Sequence, residues 1–468
     1  MSDEPMDDAF DTDLHGELEG LVRDVSPSPM LRARVQRRLQ RSGAARSPIV
    51  WGSVAAAVAA IAALLVGSPG GGHSQRVAAS DQGSTTTIAG EVTPEPGAPE
   101  GLVTQTPGST PAQTPTTHST AVSRPAATAT STTIYTGPVT EFALPRPNSY
   151  PYNITGGPDG NVWFTESQGD PGIWGFDTLA GGSSGASTQP ASSKIGRITP
   201  SGAITEFTPP TASASLEGIT TGPDGNLWFT EAIGVNGQSQ IGKIGRMTPS
   251  GIATEYSLPT ENAGPSGITR GPDGALWFTE TIGGSQVQNG KIGRITTSGS
   301  ISEYPVNGDP YFITAGPDGN LWWTDFVHYQ IGHMTPSGSP LATYAVPDHG
   351  RPLGIVTGPD SNLWFADGGE ETHAIGRLTP AGVFTIYPVS PTEMENIVVG
   401  PDGNLWFTEG ATDKVGRITT AGAVSEYAVR TANSDVNGIA TGPNGNIWFT
   451  EMSANKVGRL DLAAVQRG

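Results

Sequence analysis

A ten-residue block, GPDGNVWFTE at residues 157–166, recurs seven times along this chain. The later copies are GPDGNLWFTE from Gly222, GPDGALWFTE from Gly271, GPDGNLWWTD from Gly316, GPDSNLWFAD from Gly358, GPDGNLWFTE from Gly400 and GPNGNIWFTE from Gly442. Their starts lie 65, 49, 45, 42, 42 and 42 residues apart. A period of about 42 residues is that of a propeller blade. The fold class predicted is therefore all-β, a seven-bladed β-propeller of four-stranded blades.

Each repeat contains the turn signals of two hairpins. In the first repeat, PDG predicts a tight turn between strand A (153–156) and strand B (162–166), because Pro and Gly fit a turn closed by a left-handed residue. TPSG plays the same part between strand C (194–199) and strand D (203–207). Each blade is therefore predicted to have four strands.

The two ends of the repeat region complement each other. The seventh repeat stops at KVGRLDL without a strand D, whereas GPVTEFALP at residues 137–145 looks like a strand D without a blade. We predict that the strand near Phe142 pairs with the last blade, which removes two exposed sheet edges. A ring closed in this way is expected to be monomeric.

Two positions of the block carry the same residue type in all seven copies. We predict that the tryptophans pack between blades, and that the acids at the end of strand B pair with Lys or Arg of strand C. The tryptophans are Trp163, Trp228, Trp277, Trp322, Trp364, Trp406 and Trp448. The acids are Glu166, Glu231, Glu280, Asp325, Asp367, Glu409 and Glu451.

The N-terminal region predicts a membrane anchor. Residues 49–67 carry no charge over 19 positions, close to the roughly 20 residues that span a hydrocarbon core. About 48 residues precede them and no cleavage site directly follows, which favours an uncleaved transmembrane helix over a signal peptide. Arginines cluster before the helix, so residues 1–48 are predicted to be a cytoplasmic tail and the propeller to be extracytoplasmic in a single-pass protein of the cell membrane.

Composition divides the remainder and excludes some functions. Residues 68–133 are rich in Pro, Ser and Thr, which predicts a disordered stalk before the propeller at 134–468. The propeller region carries 16 basic against 31 acidic residues, and such a surface repels nucleic acid. The chain has no cysteine, which excludes disulfides and thiolate metal sites. Four histidines of the propeller region, at 328, 333, 349 and 373, lack metal-ligand spacing.

The residues at the start of each strand A differ from blade to blade. The B to C loops and the D to A crossings vary and share one face, so that face is predicted to carry the site. The strand A positions that should ring the channel there are Tyr152, Glu217, Ser266, Tyr311, Leu353, Glu395 and Asn437. Tyr152, Glu217, Tyr311, Glu395 and Asn437 are the predicted ligand-binding residues, for an uncharged or cationic molecule with apolar surface. The alternative is an unspecialised, solvent-filled channel.

Written as GPDGNLWFTE, KIGRITPSG and ITEF, the repeats resemble those of the streptogramin B lyase (virginiamycin B lyase) family. The resemblance covers about 70% of the chain and implies Mg²⁺-dependent elimination at an ester-linked C–O bond with a histidine base. Tyr152 matches the family, but the positions of its two histidines hold Glu395 and Asn437. The resemblance implies Glu395 as a substitute catalytic base, with Asp435 and Glu451 as metal ligands.

Three functions follow from these observations. The first is a membrane-anchored propeller that binds a small molecule, glycan or peptide on its channel face. The second is an Mg²⁺-dependent C–O lyase that linearises streptogramin B-type cyclic depsipeptides. The third is a protein-interaction platform that couples the outside to the cytoplasmic tail.

Overall fold

The computed structural model describes residues 122–123, 133–135, 138–167, 192–212, 214–232, 242–282, 290–369, 373–389 and 394–465. The predicted tail at 1–48 and transmembrane helix at 49–67 lie outside these ranges. Among the residues that are described, none forms a helix long and apolar enough to cross a bilayer.

The described chain is almost entirely β-structure. In chain order the strands are β1 (Val122–Ser123), β2 (Thr133–Tyr135), β3 (Val139–Ala143), β4 (Pro151–Gly156), β5 (Val162–Glu166), β6 (Lys194–Ile198), β7 (Ile204–Phe207), β8 (Ser215–Thr221), β9 (Leu227–Ala232), β10 (Lys243–Met247), β11 (Ala253–Ser257), β12 (Ala263–Arg270), β13 (Leu276–Ile282), β14 (Lys291–Ile295), β15 (Ile301–Pro305), β16 (Ile313–Ala315), β17 (Leu321–Asp325), β18 (Gln330–Met334), β19 (Pro340–Ala345), β20 (Pro352–Thr357), β21 (Leu363–Gly368), β22 (His373–Leu378), β23 (Phe384–Pro388), β24 (Met394–Val399), β25 (Leu405–Glu409), β26 (Lys414–Ile418), β27 (Val424–Ala428), β28 (Val436–Thr441), β29 (Ile447–Glu451) and β30 (Lys456–Leu460). The helices are two 3₁₀ turns, Pro347–His349 and Gly410–Thr412, and α1 (Leu462–Val465).

These strands form seven antiparallel blades, which confirms the predicted all-β propeller. Blades 1 to 6 take four consecutive strands each, starting at β4, β8, β12, β16, β20 and β24, and blade 7 has the order β28, β29, β30, β3. In every blade strand A lies at one edge. Strand D forms the other edge in five blades, and in blades 5 and 6 a fifth strand lies outside it.

The predicted closing strand is confirmed. β3 pairs antiparallel with β30, with Val139 opposite Leu460 and Ala143 opposite Lys456. Phe142 stacks on the blade 7 tryptophan Trp448 at a centroid distance of 5.8 Å. The ring is therefore closed by joining strands from the two ends of the repeat region.

Two short strands lie at the C-terminal end of the segment predicted to be a disordered stalk, residues 68–133. β1 adds a fifth strand in parallel to β23 of blade 5, and β2 adds one to β27 of blade 6. The outer strand of a blade presents unpaired backbone donors and acceptors that an extended segment can satisfy. The boundary predicted at residue 134 therefore falls inside β2.

The tryptophans pack between blades, as predicted. Trp163 of blade 1 belongs to a core with Leu216 and Phe229 of blade 2, and Trp448 of blade 7 to a core with Ile154 and Phe164 of blade 1. All seven tryptophans are fully buried. In blade 1 the indole N–H donates to Asp159 of the PDG turn at 3.0 Å, so the turn and the inter-blade core are joined.

The predicted pairing of strand B acids with Lys or Arg of strand C is present in blade 6, where Lys414 Nζ lies 4.0 Å from Glu409, but blades 2 and 3 show a different arrangement. Lys243 pairs in register with Glu231, yet its ammonium donates to Glu255 of strand D at 2.6 Å. Burial, followed by the charge of Glu255, raises the pKa of Glu231 to about 8, against the effect of Lys243. Blade 3 repeats the arrangement with Glu280, Lys291 and Glu303. In these two blades the lysine therefore bonds to the acid of strand D, because the acid of strand B is more deeply buried.

Candidate ligand site at the channel mouth

Seven residues, each five positions before the repeat block, form what we term the channel mouth. Its members are Tyr152, Glu217, Ser266, Tyr311, Leu353, Glu395 and Asn437. The hydroxyls of Tyr152 in blade 1 and Tyr311 in blade 4 meet at 2.8 Å. Blades 1 and 4 lie across the ring from each other, so side chains at this repeat position extend into the channel.

A bulge in strand A turns these side chains toward the axis. In six blades the pairing of strands A and B shifts register over the mouth residue and its successor, as between Pro151 and Ile154 in blade 1. Bulges redirect side chains in this way beside functional sites. The departure from regular pairing is therefore part of the scaffold.

Strand B threonines hold the mouth backbone in place. Thr450 of blade 7 donates its hydroxyl to the carbonyl of Tyr152 in blade 1 at 2.7 Å, and accepts from Gly438 N–H of its own blade at 2.8 Å. Thr165 does the same for Glu217 of blade 2 at 3.0 Å. A Cβ at Gly438 would collide with the Tyr152 carbonyl, so glycine allows the close approach.

Three carboxylates lie on one side of the mouth. Burial is the main cause that raises the pKa of Tyr152 well above its usual value, and the charge of Glu217 is the second. The charges of Glu395 and Asp435 raise this pKa further, whereas the hydrogen bond with Tyr311 lowers it. Burial also raises the pKa of Glu217 to about 7, although its bond with Ser266 opposes the shift. The side chains of Glu395 and Asp435 both approach Gly410. Blades 6, 7, 1 and 2 therefore form an acidic arc.

The opposite side of the mouth is apolar. Tyr311 packs with Phe326 and Leu353 in one buried cluster, and the Phe326 ring meets Tyr311 edge-on at 5.3 Å. The guanidinium of Arg351 lies over Phe326, 5.5 Å from its centroid. Burial raises the pKa of Asp367 in blade 5 to about 6, and the positive charge of Arg351 opposes this shift. That charge therefore also acts on an acid of its own blade.

The predicted metal ligands Asp435 and Glu451 face different surroundings. Asp435 accepts a hydrogen bond from the Ser453 hydroxyl at 3.2 Å. Glu451, in contrast, is fully buried. Its burial and then the charge of Glu141 raise its pKa to about 8, and the charge of Lys456 opposes this shift. No cluster of three or more His, Asp or Glu in the described ranges is arranged to hold a metal ion. These residues do not fit the Mg²⁺ that the family implies, and we assign no step to it.

Sequence reasoning missed two features of blade 4. Phe326 contacts the mouth from a variable B to C loop, where its only signal was an aromatic residue in the sequence FVHY. His328 Nδ1 lies 2.8 Å from the buried carboxylate of Asp325. Gln330 stands where five other blades have Lys, so His328 replaces the lysine as the partner of the strand B acid.

The propeller matches known proteins over nearly all of its length. The model of the virginiamycin B lyase family matches residues 178–370 and 340–466. A streptogramin B lyase structure is 34% identical, covers 69% of this chain and 97% of its own, and has a TM-score of 0.57.

Two further solved structures extend the comparison. A catalytically inactive virginiamycin B lyase from Staphylococcus aureus with quinupristin is 33% identical, covers 69% of this chain and 98% of its own, and also has a TM-score of 0.57. Hydrazine synthase of Kuenenia stuttgartiensis, at 13% identity over 69% of this chain and 98% of its own with a TM-score of 0.52, shares the fold alone. No curated protein matches the chain.

Proposed function

Since this chain belongs to the virginiamycin B lyase family, we propose that it binds a small molecule, glycan or peptide at the channel mouth. The observation that carries the proposal is the convergence of Tyr152 and Tyr311 across the ring beside Glu217. A concave site with apolar walls and a few polar groups is the usual form of a ligand pocket. The scaffold around it is held in place because strand B threonines tie five of the seven mouth residues to the preceding blade.

Calorimetric titration of the full chain tests this proposal. Cell-wall glycan fragments, short peptides and the cyclic depsipeptide quinupristin would be titrated separately. We expect heat with at least one class, and its loss in Leu353→Arg, which would fill the apolar side of the mouth. The absence of heat with every class would contradict the proposal.

We further propose that residues 49–67 anchor the propeller outside the cell. The uncharged segment and the arginines before it support this topology. Intact cells bearing a C-terminal epitope tag would be treated with protease. Loss of the tag from a membrane-associated protein is the expected result, whereas full protection until lysis would contradict it.

A second candidate is C–O elimination of a streptogramin B-type depsipeptide, favoured by the 34% identity to a lyase. Glu395 would take the proton from the carbon beside the ester-linked carbon, the C–O bond would break, a C=C bond would form and the carboxylate would leave. A carboxylate performs this step well only when its pKa approaches the working pH.

Chromatography of quinupristin incubated with the protein tests this candidate. The expected product is a linear isomer, formed at a rate that Glu395→Gln lowers by at least about 100-fold, the usual contribution of a general base. Reactions with Mg²⁺ and with a chelator would be run in parallel. Equal rates for wild type and Glu395→Gln would refute the lyase assignment.

A further inference from the structure

We infer that His328 of blade 4 is a positioning residue for the channel mouth. Through the carboxylate of Asp325 it holds two aromatic residues of the apolar side, Tyr311 and Phe326. This inference rests on the proposed ligand-binding function and adds to it a residue that lies outside the mouth. It follows from the way in which blade 4 departs from the other blades.

Blade 4 holds its mouth residue differently from the rest of the ring. In the six other blades the mouth residue lies within strand A, as Tyr152 lies in β4 and Glu217 in β8. In blade 4, strand A is β16, which has 3 residues and begins after Tyr311. The ladder between β16 and β17 therefore ends before it reaches the mouth. Tyr311 consequently depends on contacts outside the ladder.

The carboxylate of Asp325 fixes the segment that leads to Tyr311. This side chain is fully buried, and its Oδ2 accepts the backbone N–H of Asp309 at 3.0 Å. A Cβ at Gly308 would lie 2.1 Å from the same oxygen, so the D to A crossing runs directly against the carboxylate. Tyr311 follows closely, and its N–H donates to the carbonyl of Thr324 at 2.8 Å. The position of Asp325 therefore determines how the chain enters the mouth.

The same carboxylate fixes the loop that carries Phe326. The backbone N–H of His328 donates to Asp325 Oδ1 at 3.0 Å, and the ring Nδ1 lies 3.0 Å from Oδ1 and 2.8 Å from Oδ2. An ionised carboxylate only accepts hydrogen bonds, so Nδ1 carries the proton. Phe326 lies between these two residues in the chain, and its ring contacts Tyr311. His328 and Asp325 therefore close a short loop that places an aromatic ring at the mouth.

Blade 4 lacks the lysine and the second acid that accompany the strand B acid elsewhere. Five other blades have Lys at the position of Gln330 and Glu at the position of Thr343. Gln330 Nε2 donates to Asp325 Oδ2 at 3.0 Å but brings no charge. The imidazole of His328 supplies the second side-chain donor to this carboxylate. It therefore takes a place in blade 4 that the repeat itself does not provide.

The charge of this imidazole also acts on the crossing. Burial, and after it the charge of Asp325, raises the pKa of Asp309 to about 6, whereas the charge of His328 opposes this shift. Without His328 the two acids would repel each other more strongly. The His328 side chain is 32% exposed, so a substitution there leaves the core packing in place. Loss of the imidazole is therefore expected to loosen both the crossing and the loop.

Fluorine NMR of the mouth tests the inference. 3-Fluorotyrosine would be incorporated at position 311 of the full chain, and the spectrum would be recorded without any ligand. In His328→Leu we expect the population of displaced ring, measured as a second resonance, to rise at least about tenfold, the ratio that corresponds to the loss of one hydrogen bond to a charged group. His328→Asn places an amide N–H where Nδ1 stands and should restore the wild-type spectrum.

Two further variants complete the test. His349→Asn changes an exposed histidine at a φ of 54°, which asparagine tolerates, and should leave the spectrum unchanged. Gln330→Leu removes another hydrogen bond to Asp325 and should displace the ring, so it replaces His328→Leu if that variant fails to fold. A wild-type spectrum in the leucine variant, or equal displacement in either asparagine variant, would overturn the inference. Because these spectra need no ligand, absence of heat in the calorimetric titration would contradict the proposed function alone.

Discussion

The tryptophan position and the mouth position occur once per blade, yet they behave oppositely. The first holds the same residue seven times, and every copy is buried in a core shared with the next blade. The second holds five residue types, and two of its members, Tyr152 and Tyr311, meet across the channel instead. In this ring, identity between repeats marks packing and difference marks the candidate site.

The closing strand gives the largest test of the scaffold side of this comparison. Val139→Asp would place a carboxylate where the side chain is fully buried against blade 7. We expect the free energy of unfolding to fall by at least about 5 kcal/mol, since an unpaired charge would be buried. Urea denaturation followed by tryptophan fluorescence measures it.

The neighbouring position provides the control for that variant. Thr140→Asp lies on the exposed side of the same strand and should cost less than about 0.5 kcal/mol. Similar losses for the two variants would mean that β3 does not close the ring.

A tryptophan substitution tests the packing between two blades. Trp277→Ala removes a ring that stacks on Tyr304 at 5.7 Å and contacts blade 4. We expect a loss of about 4 kcal/mol, the usual cost of truncating a buried aromatic residue. Ile252→Ala, at a side chain 68% exposed, is the control, and equal effects would remove the packing role.

The buried strand B acids predict a pH dependence of stability. Burial, and after it the charge of Glu303, raises the pKa of Glu280 to about 8, although the charge of Lys291 opposes this shift. Glu280 therefore keeps its proton in the folded state up to about pH 8, whereas it releases the proton near pH 4.5 in the unfolded state. Stability contributed by this group is complete below pH 4.5 and is lost as pH rises toward 8. We expect a loss on the order of 2 kcal/mol between pH 5 and 8 in urea titrations.

Glu280→Gln provides the comparison for the pH experiment. The neutral amide cannot release the proton, so the dependence on pH should become shallower. An unchanged slope in this variant would indicate that Glu280 does not cause the effect.

The smallest expected effect is at the mouth. Tyr152→Phe removes the hydroxyl that meets Tyr311 and should cost about 1 kcal/mol, the net value of one hydrogen bond. Tyr256→Phe, at a tyrosine that stacks on Trp228, is the scaffold control and should cost less. Both are measured by urea denaturation, and a loss above about 3 kcal/mol for Tyr152→Phe would assign that residue to the scaffold.

Repetition explains how much of this structure the sequence could predict. The blade number, the inter-blade tryptophans and the closing strand near Phe142 followed from counting repeats and finding the missing strand D. The location of the mouth residues followed in the same way, because one register applies to every blade. Their identities, in contrast, cannot be checked against other copies since each occurs in a single blade.

The remaining features depend on distances that no repeat pattern encodes. Lys243 has an acid beside it on either neighbouring strand, and only the structure shows that it bonds to Glu255. Phe326 reaches the mouth from a loop without a counterpart in other blades. The short strands β1 and β2 arise from free blade edges, which a Ser- and Thr-rich sequence does not reveal.

The most direct test compares two glutamates of blade 2, Glu217 at the mouth and Glu231 at the end of strand B. Each would be changed to Gln, and the dissociation constant of the probe class that gives heat with the full chain and the free energy of unfolding at pH 8 would be measured for both. The account predicts weaker binding for Glu217→Gln and unchanged binding for Glu231→Gln, whereas the stability at pH 8 should change in both variants, because each removes a buried acid whose pKa is raised. Loss of binding in both variants, or in Glu231→Gln alone, would contradict the separation of site from scaffold.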